Sequence, residues 1–330
     1  MNRVALLLLL IVLQVFCFSC QEIEDYPYYL RRDTHVSLWV ANATDGTVTY
    51  INRYTNTVMG TYKVGASPSR TAVDLEGNCW VGNRGDNTVH YVRTDGTTTL
   101  YKGFSYPRGV ALDRSGNVWI ANSTGGTIQK IGTDGTISAA VAIAGANTLY
   151  GALVDSNGYL WLSDLSLSRM VRVDVSNFPA ITQVAVATGS NYGFTIDANG
   201  YVWCGTGAIS KIDAKSATVA QTYSAGVGSG TTGICAGPHG KIWRAGGSVL
   251  YRLDPDTGIE DTITLPAEVA GARGLGADDM GYVYSTNYAS DNVCKIEASS
   301  GQVVATIPVG RGPYTYSDLT GYIYQTVTMK

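Results

Sequence analysis

The chain has 330 residues, a formal net charge of −3 and only 15% Asp, Glu, Lys and Arg, alongside 39 Gly and 22 Tyr. Its Lys and Arg are scattered rather than striped, which excludes a nucleic-acid partner held through its phosphates. A charge-poor, glycine-rich and aromatic-rich composition excludes a helical bundle and fits short twisted strands joined by tight turns.

The first element is a leader. Asn2-Arg3 is a short basic start, Val4 to Phe16 is an apolar run, and Ser19 is a small residue just before Cys20. The run is short for a membrane span and has the form of an export signal. It resembles a bacterial lipoprotein signal, which implies cleavage before Cys20 and acylation of that cysteine. Cys17 and Phe18 depart from the usual box, so release without an anchor, into the periplasm or the medium, is the alternative. Residues 1–19 are expected to be a signal peptide and 20–35, acidic from Gln21 to Asp25, a solvated tether. The expected location is the bacterial cell envelope, at the outer membrane or cell surface, with a membrane partner reached through Cys20.

From Val36 onward a single pattern recurs: Asp, two residues, Gly, two residues, then an aromatic. It stands at Asp74-Gly77-Trp80, Asp113-Gly116-Trp119, Asp155-Gly158-Trp161 and Asp197-Gly200-Trp203, then with Tyr at Asp278-Gly281-Tyr284 and Asp318-Gly321-Tyr324. Trp39 and Trp243 belong to degenerate copies, the second with Gly237 in place of Asp. Successive aromatics are 41, 39, 42, 42, 40, 41 and 40 residues apart. A period of about 40 residues with four short strands is the mark of a β-propeller. Residues 36–330 are therefore read as one all-β domain.

Each repeat reads as strands A to D. In the copy around Trp119 these are residues 108–112, 117–121, 127–131 and 137–142, with Asp113 to Gly116 turning A into B. The aspartate accepts backbone amides and the glycine takes the left-handed conformation. The chain starts on a B strand (Val36 to Ala41) and ends on A (Tyr314 to Ser317) and B (Tyr322 to Val327), giving eight B strands but seven of each other kind. Seven four-stranded blades are expected, eight being the alternative, with the ring closed by pairing of N- and C-terminal strands. Cys79, Cys204, Cys235 and Cys294 lack C-x-x-C spacing and read as small buried hydrophobes.

The segments Pro107 to Asp113 and Gly116 to Asn122 resemble NHL-type and YVTN-type propeller repeats and are similar to those of the virginiamycin B lyase family. That resemblance implies a metal-assisted β-elimination with His just after the strand A proline and Glu three residues after the repeat Trp. Here the first position holds Ser69, Arg108, Tyr150, Tyr192, Thr232, Arg273 and Pro313. The second holds Asn42, Asn83, Asn122, Asp164, Thr206, Gly246 and Asn287. The three histidines, His35, His90 and His239, are elsewhere, so the family's general base is missing. Lactonase-type propellers imply a central metal held by a carboxylate and asparagines. Asn122, Asp164 and Asn287 are the candidates for such a ring, and they suit hairpin capping equally well.

A ligand is expected on the face carrying the D–A and B–C loops. The starts of the A strands place Arg70, Arg108, Tyr150, Tyr192, Arg273 and Tyr314 around the channel mouth, a set suited to carboxylates, sugars or protein loops. Arg244 joins them as a candidate, because it occupies a strand B position that is apolar in other copies. The B–C ribbons beside it, from Trp203 to Ile212 and from Trp243 to Leu253, are shortened, which predicts a notch. The expected function is a monomeric, non-catalytic, membrane-tethered propeller that binds a protein, glycan or small molecule without a cofactor. A metal-dependent lyase or lactonase is the alternative.

Overall fold

The computed structural model describes residues 36–189, 191–224 and 233–330. Cys20 with its leader and tether, His35 and Thr232 lie outside the described residues.

In four of the repeats one carboxylate does two jobs. Asp113 Oδ1 accepts the amides of Ser115 (2.9 Å) and Asn117 (3.0 Å), closing the A–B hairpin, while Gly116 sits at φ +80°. Its other oxygen accepts the Trp119 indole N–H at 2.9 Å. The same bond, at 2.8 Å, ties Trp161 to Asp155, Trp203 to Asp197 and the Tyr284 hydroxyl to Asp278. The Asp-x-x-Gly-x-x-aromatic spacing is therefore both a turn and a tether that fixes the strand B ring between blades. In the Asp74 copy the Tyr91 hydroxyl takes the place of the indole on Oδ2, at 2.8 Å, and the degenerate copies lose the bond. Trp243, facing Gly237, has a buried indole nitrogen with no partner, and Trp39 turns instead to the Gly77 carbonyl of the adjacent blade at 2.8 Å.

Six blades run consecutively, over residues 68–102, 107–142, 149–187, 194–223, 234–264 and 272–308, each an antiparallel A-B-C-D sheet with A innermost. Successive A strands pack side by side, and the aromatics and aliphatics of strands B and C fill the layers between sheets. The four cysteines are buried free thiols. In blade two strand D is shorter than expected: only Val141–Ala142 pairs, with one bridge at Ile137, because the Ser138 hydroxyl takes the Lys130 amide at 2.9 Å.

The seventh blade joins the two ends of the chain. Ser37–Asn42, Thr47–Asn52 and Thr57–Lys63 supply B, C and D, and residues 313–319 supply A. The closing segment bonds outward to blade seven, Tyr314 N–H to the Ala41 carbonyl (2.8 Å) and Trp39 N–H to the Leu319 carbonyl (2.9 Å). On its other side Tyr316 and Ser317 pair in parallel with Arg70 and Thr71 of blade one. Its approach to blade six is so close that a Cβ on Gly274 would fall 1.5 Å from the Thr315 oxygen.

The expected last B strand, Tyr322 to Val327, is corrected: residues Tyr324–Thr328 form a π-helical turn. No sheet edge is left for them, since Ser37–Asn42 already occupies it. Asp318 keeps its capping role in a new setting, accepting the Tyr324 amide at 2.8 Å. The turn lies across the A–B-turn end of the channel. Tyr324 Oη donates to the Asp113 carbonyl (3.1 Å), Thr328 to that of Val154 (2.6 Å) and Thr320 to that of Ala277 (2.5 Å).

Candidate functional site

At the opposite end the A strands begin, and there the ladder slips. Register shifts fall between Pro68 and Arg70, Pro107 and Gly109, Leu149 and Ala152, and Ala272 and Gly274. A shift of this kind takes a residue out of its cross-strand pair and re-aims it. Arg108, Tyr150 and Arg273 sit in three of these slips, and Arg70 borders the fourth.

Six of the seven residues expected at the mouth come together. The Arg70 guanidinium lies against two rings set at 74° to one another, 4.5 Å from the centroid of Tyr150 and 4.3 Å from that of Tyr316. Arg108 stacks on Tyr150 at 4.3 Å, and Arg273 stands 5.6 Å from Tyr314. The Tyr150 and Tyr314 hydroxyls are 2.7 Å apart, and Tyr192 contacts the same Tyr314 oxygen. Arg70, Tyr150, Tyr314 and Tyr316 are buried, while Arg108, Tyr192 and Arg273 are partly exposed.

The sequence reading missed three members. Tyr316 lies on the closing strand, and Arg84 and Tyr288 each stand four residues after their repeat aromatic. Arg84 stacks on Tyr314 at 5.0 Å and Arg273 on Tyr288 at 4.7 Å. The signal available was the position itself, four after the aromatic, which no family pattern had singled out.

Arg244 does not join the cluster. It is fully buried and forks onto Glu260 of strand D, Nη2 to Oε2 at 2.6 Å and Nε to Oε2 at 3.0 Å. Its Nη1 reaches the Gly207 carbonyl at 3.5 Å, so it packs under the shortened B–C ribbon that it was expected to border as an open notch.

The metal-ring candidates are each bound within their own hairpin. Asn122 donates to Thr127 (3.0 Å) and Gln129 (2.8 Å), and Asn287 to Asn292 (2.8 Å). Asp164 accepts from Ser166 and pairs with Arg169 Nε at 2.9 Å. Among the described residues no three His, Cys, Asp or Glu side chains converge.

What sets the mouth apart is uncompensated charge. Among the described residues Arg70, Arg84 and Arg108 form no ion pair. Nε and Nη2 of Arg70, Nε and Nη1 of Arg108, Nη1 of Arg84 and the Tyr316 hydroxyl are buried without a hydrogen-bond partner. Burying an ion costs several kcal/mol even after relaxation, whereas a cation over a ring returns about 1–2 kcal/mol. Stacking therefore offsets only part of the cost. Burial, then the Arg108 charge, pulls the Arg70 guanidinium below its ordinary range against the opposing pull of the phenols. Burial pushes the Tyr150 and Tyr316 phenols up. Tyr314 goes the other way: burial raises it, but hydrogen bonds from Tyr150 and Tyr192 and the charges of Arg108 and Arg70 outweigh that and bring it down to about 7.

Residues 104–131, from the approach to blade two through its strand C, match the model of the NHL repeat. No curated protein sequence matches the chain significantly. Among solved structures it is similar to virginiamycin B lyase from Staphylococcus aureus, at 16% identity and a TM-score of 0.67, over 76% of this chain and 89% of that one. It is likewise similar to a putative 6-phosphogluconolactonase from Bacteroides fragilis (16%, TM-score 0.68, 86% and 97%). A functionally unknown protein from Desulfotomaculum acetoxidans is a third (12%, TM-score 0.69, 84% and 99%). At such identities the likeness establishes the seven-bladed propeller and nothing of the chemistry.

Proposed function

We propose that this protein is a non-catalytic binding propeller that takes a small molecule or glycan at its arginine–tyrosine mouth, exported and held at the cell envelope through Cys20. One observation carries the reading: guanidinium donors buried at the mouth have no partner of their own. A fold keeps such donors unfilled at a cost to its stability, and a ligand that fills them recovers it. The C-terminal turn lies across the other end of the channel, bonded to the Asp113 and Val154 carbonyls. The elimination chemistry implied by the lyase resemblance calls for His and Glu at positions that hold other residues in this chain.

The test is a thermal-shift screen of the full chain against neutral and charged sugars and small acids, repeated on Tyr192→Ala combined with Arg273→Ala. The double variant is expected to lose the shift of any hit while keeping the melting temperature of the free protein within a few degrees. Hits that survive the double variant would place binding elsewhere. Streptogramin or lactone turnover abolished by a chelator would overturn the non-catalytic reading. Anchoring is checked separately: Cys20→Ala is expected to move the protein from the membrane to the soluble fraction.

A further inference from the structure

Arg70 is the most deeply placed cation of the mouth, 2% exposed. Tyr150 and Tyr316 lie against it from two sides, their rings inclined at 74° to one another with centroids 6.5 Å apart. The two donors without partners, Nε and Nη2, are the pair that share one side of the guanidinium. That side is the fork that grips two oxygens of a carboxylate or phosphate through parallel bonds in the guanidinium plane. Arg108, partly exposed and stacked on the same Tyr150 ring, adds two more unfilled donors, Nε and Nη1. Neutral sugars and loops without an acidic side chain offer single hydroxyls or carbonyls, which leave one prong and the net positive charge unanswered. Only an oxyanion meets both requirements.

Resting on the reading of the mouth as a ligand site, we infer that its ligand carries an oxyanion, with the anionic group seated on the Nε–Nη2 edge of Arg70 and a second contact to Arg108. The remainder of the ligand lies toward the partly exposed Tyr192 and Tyr288, whose rings suit a sugar or another flat organic body. A carboxylated sugar fits this arrangement as a class. Free inorganic phosphate shares the headgroup chemistry without the body.

The experiment is calorimetric titration of the full chain at pH 6 with four probes: D-galacturonate, D-galactose, inorganic phosphate and sulfate. Galacturonate is expected to bind once per chain and galactose at least tenfold more weakly. Phosphate and sulfate should compete with galacturonate, and weaker binding of either would show that the organic body contributes. Arg70→Met, which replaces a buried side chain by one of similar length, is expected to abolish galacturonate binding. Arg108→Gln, at the partly exposed position, is expected to weaken it about tenfold or more, so the inference stays testable if Arg70→Met folds poorly. Equal binding of galactose and galacturonate that the Tyr192 and Arg273 double variant abolishes would overturn the oxyanion and leave the mouth as the site. Anion binding unchanged in both arginine variants would overturn the inference as well. No binding of any of the three anions would do the same, whatever neutral compounds a wider screen returns.

Discussion

The two ends of the central channel are built from the same strands and treat polar groups in opposite ways. At the A–B-turn end the repeat carboxylates are saturated: Asp155, fully buried, accepts two amides and the Trp161 indole, and the C-terminal turn adds further bonds to the carbonyls around it. At the mouth, guanidinium edges are buried and left open. The carboxylates of one end are answered within the fold, the Trp243 indole alone of the repeat donors named above going without, and the guanidinium edges of the other end are left for an added molecule to answer. Regularity therefore marks structure here, and the break in regularity marks the site.

The largest effect is expected from removing the closing segment, which serves both ends and carries Tyr314 and Tyr316 of the mouth. Deleting residues 313–330 takes away strand A of blade seven, the parallel pairing to blade one and the turn across the channel. It is expected to abolish cooperative unfolding altogether, because the edges of blades one and seven are left open. A truncated chain with a single sharp melting transition near that of the full protein would refute the closure. Next in size is Asp155→Ala. It strips Trp161 and two turn amides of their acceptor in a buried site and is expected to cost about 2–4 kcal/mol in chemical denaturation. A loss under about 1 kcal/mol would mean that the turn and the indole tether are dispensable.

At the mouth the same kind of deletion has the opposite sign. Arg70→Met removes a buried charge without a counter-ion, and a hydrophobic side chain of similar volume in such a place is neutral to stabilising. The melting temperature of the free protein is expected to rise by about 2–4 °C while anion binding is lost. A drop of similar size would show that the cation–π stack, not a missing ligand, is what keeps Arg70 there. Stability and function trade against one another at the mouth and coincide at the turn end.

Much of this was legible in the sequence, for physical reasons that also explain what was not. The Asp-Gly-Trp spacing reports local hydrogen bonding, so blade number and strand order followed from it directly. The final repeat misled because the choice between strand and helical turn at Tyr324 depends on whether a sheet edge is free, and that is decided at the other end of the ring by Ser37–Asn42. Six mouth residues were found because strands of constant length start at one face. Arg244 was misplaced because its charge is answered by Glu260, sixteen residues on and two strands away. The absence of any such answer for Arg70 is likewise a property of the assembled ring. No window of sequence shows which charges will find no partner.

The smallest expected effect concerns Tyr314 and sharpens the contrast furthest, because it asks how the mouth tolerates its charge when empty. Facing it are Arg70 and Arg108 from the A strands of blades one and two, Arg84 beside blade one and Arg273 from blade six. Tyr150, Tyr192, Tyr288 and Tyr316 are its phenolic neighbours. With its phenol brought down to about 7 from the ordinary 10, Tyr314 supplies an internal anion as pH rises. The sign follows from which state each form favours. Below about pH 7 the phenol is neutral, Arg70, Arg84 and Arg108 have no anion beside them and an external carboxylate binds best. Above it the phenolate competes, and a carboxylate ligand that stays ionised throughout must bind more weakly, by up to tenfold per pH unit. The galacturonate dissociation constant is therefore expected to rise about tenfold between pH 6 and pH 8.5, and Tyr314→Phe to flatten that dependence while retaining binding at pH 6. In the free protein the depressed phenol stabilises the fold progressively between about pH 7 and pH 10 and loses that contribution as pH falls through 7. Affinity that is flat in wild type, with no tyrosinate absorbance appearing until pH 10, would show that Tyr314 is not the internal counter-charge of the mouth.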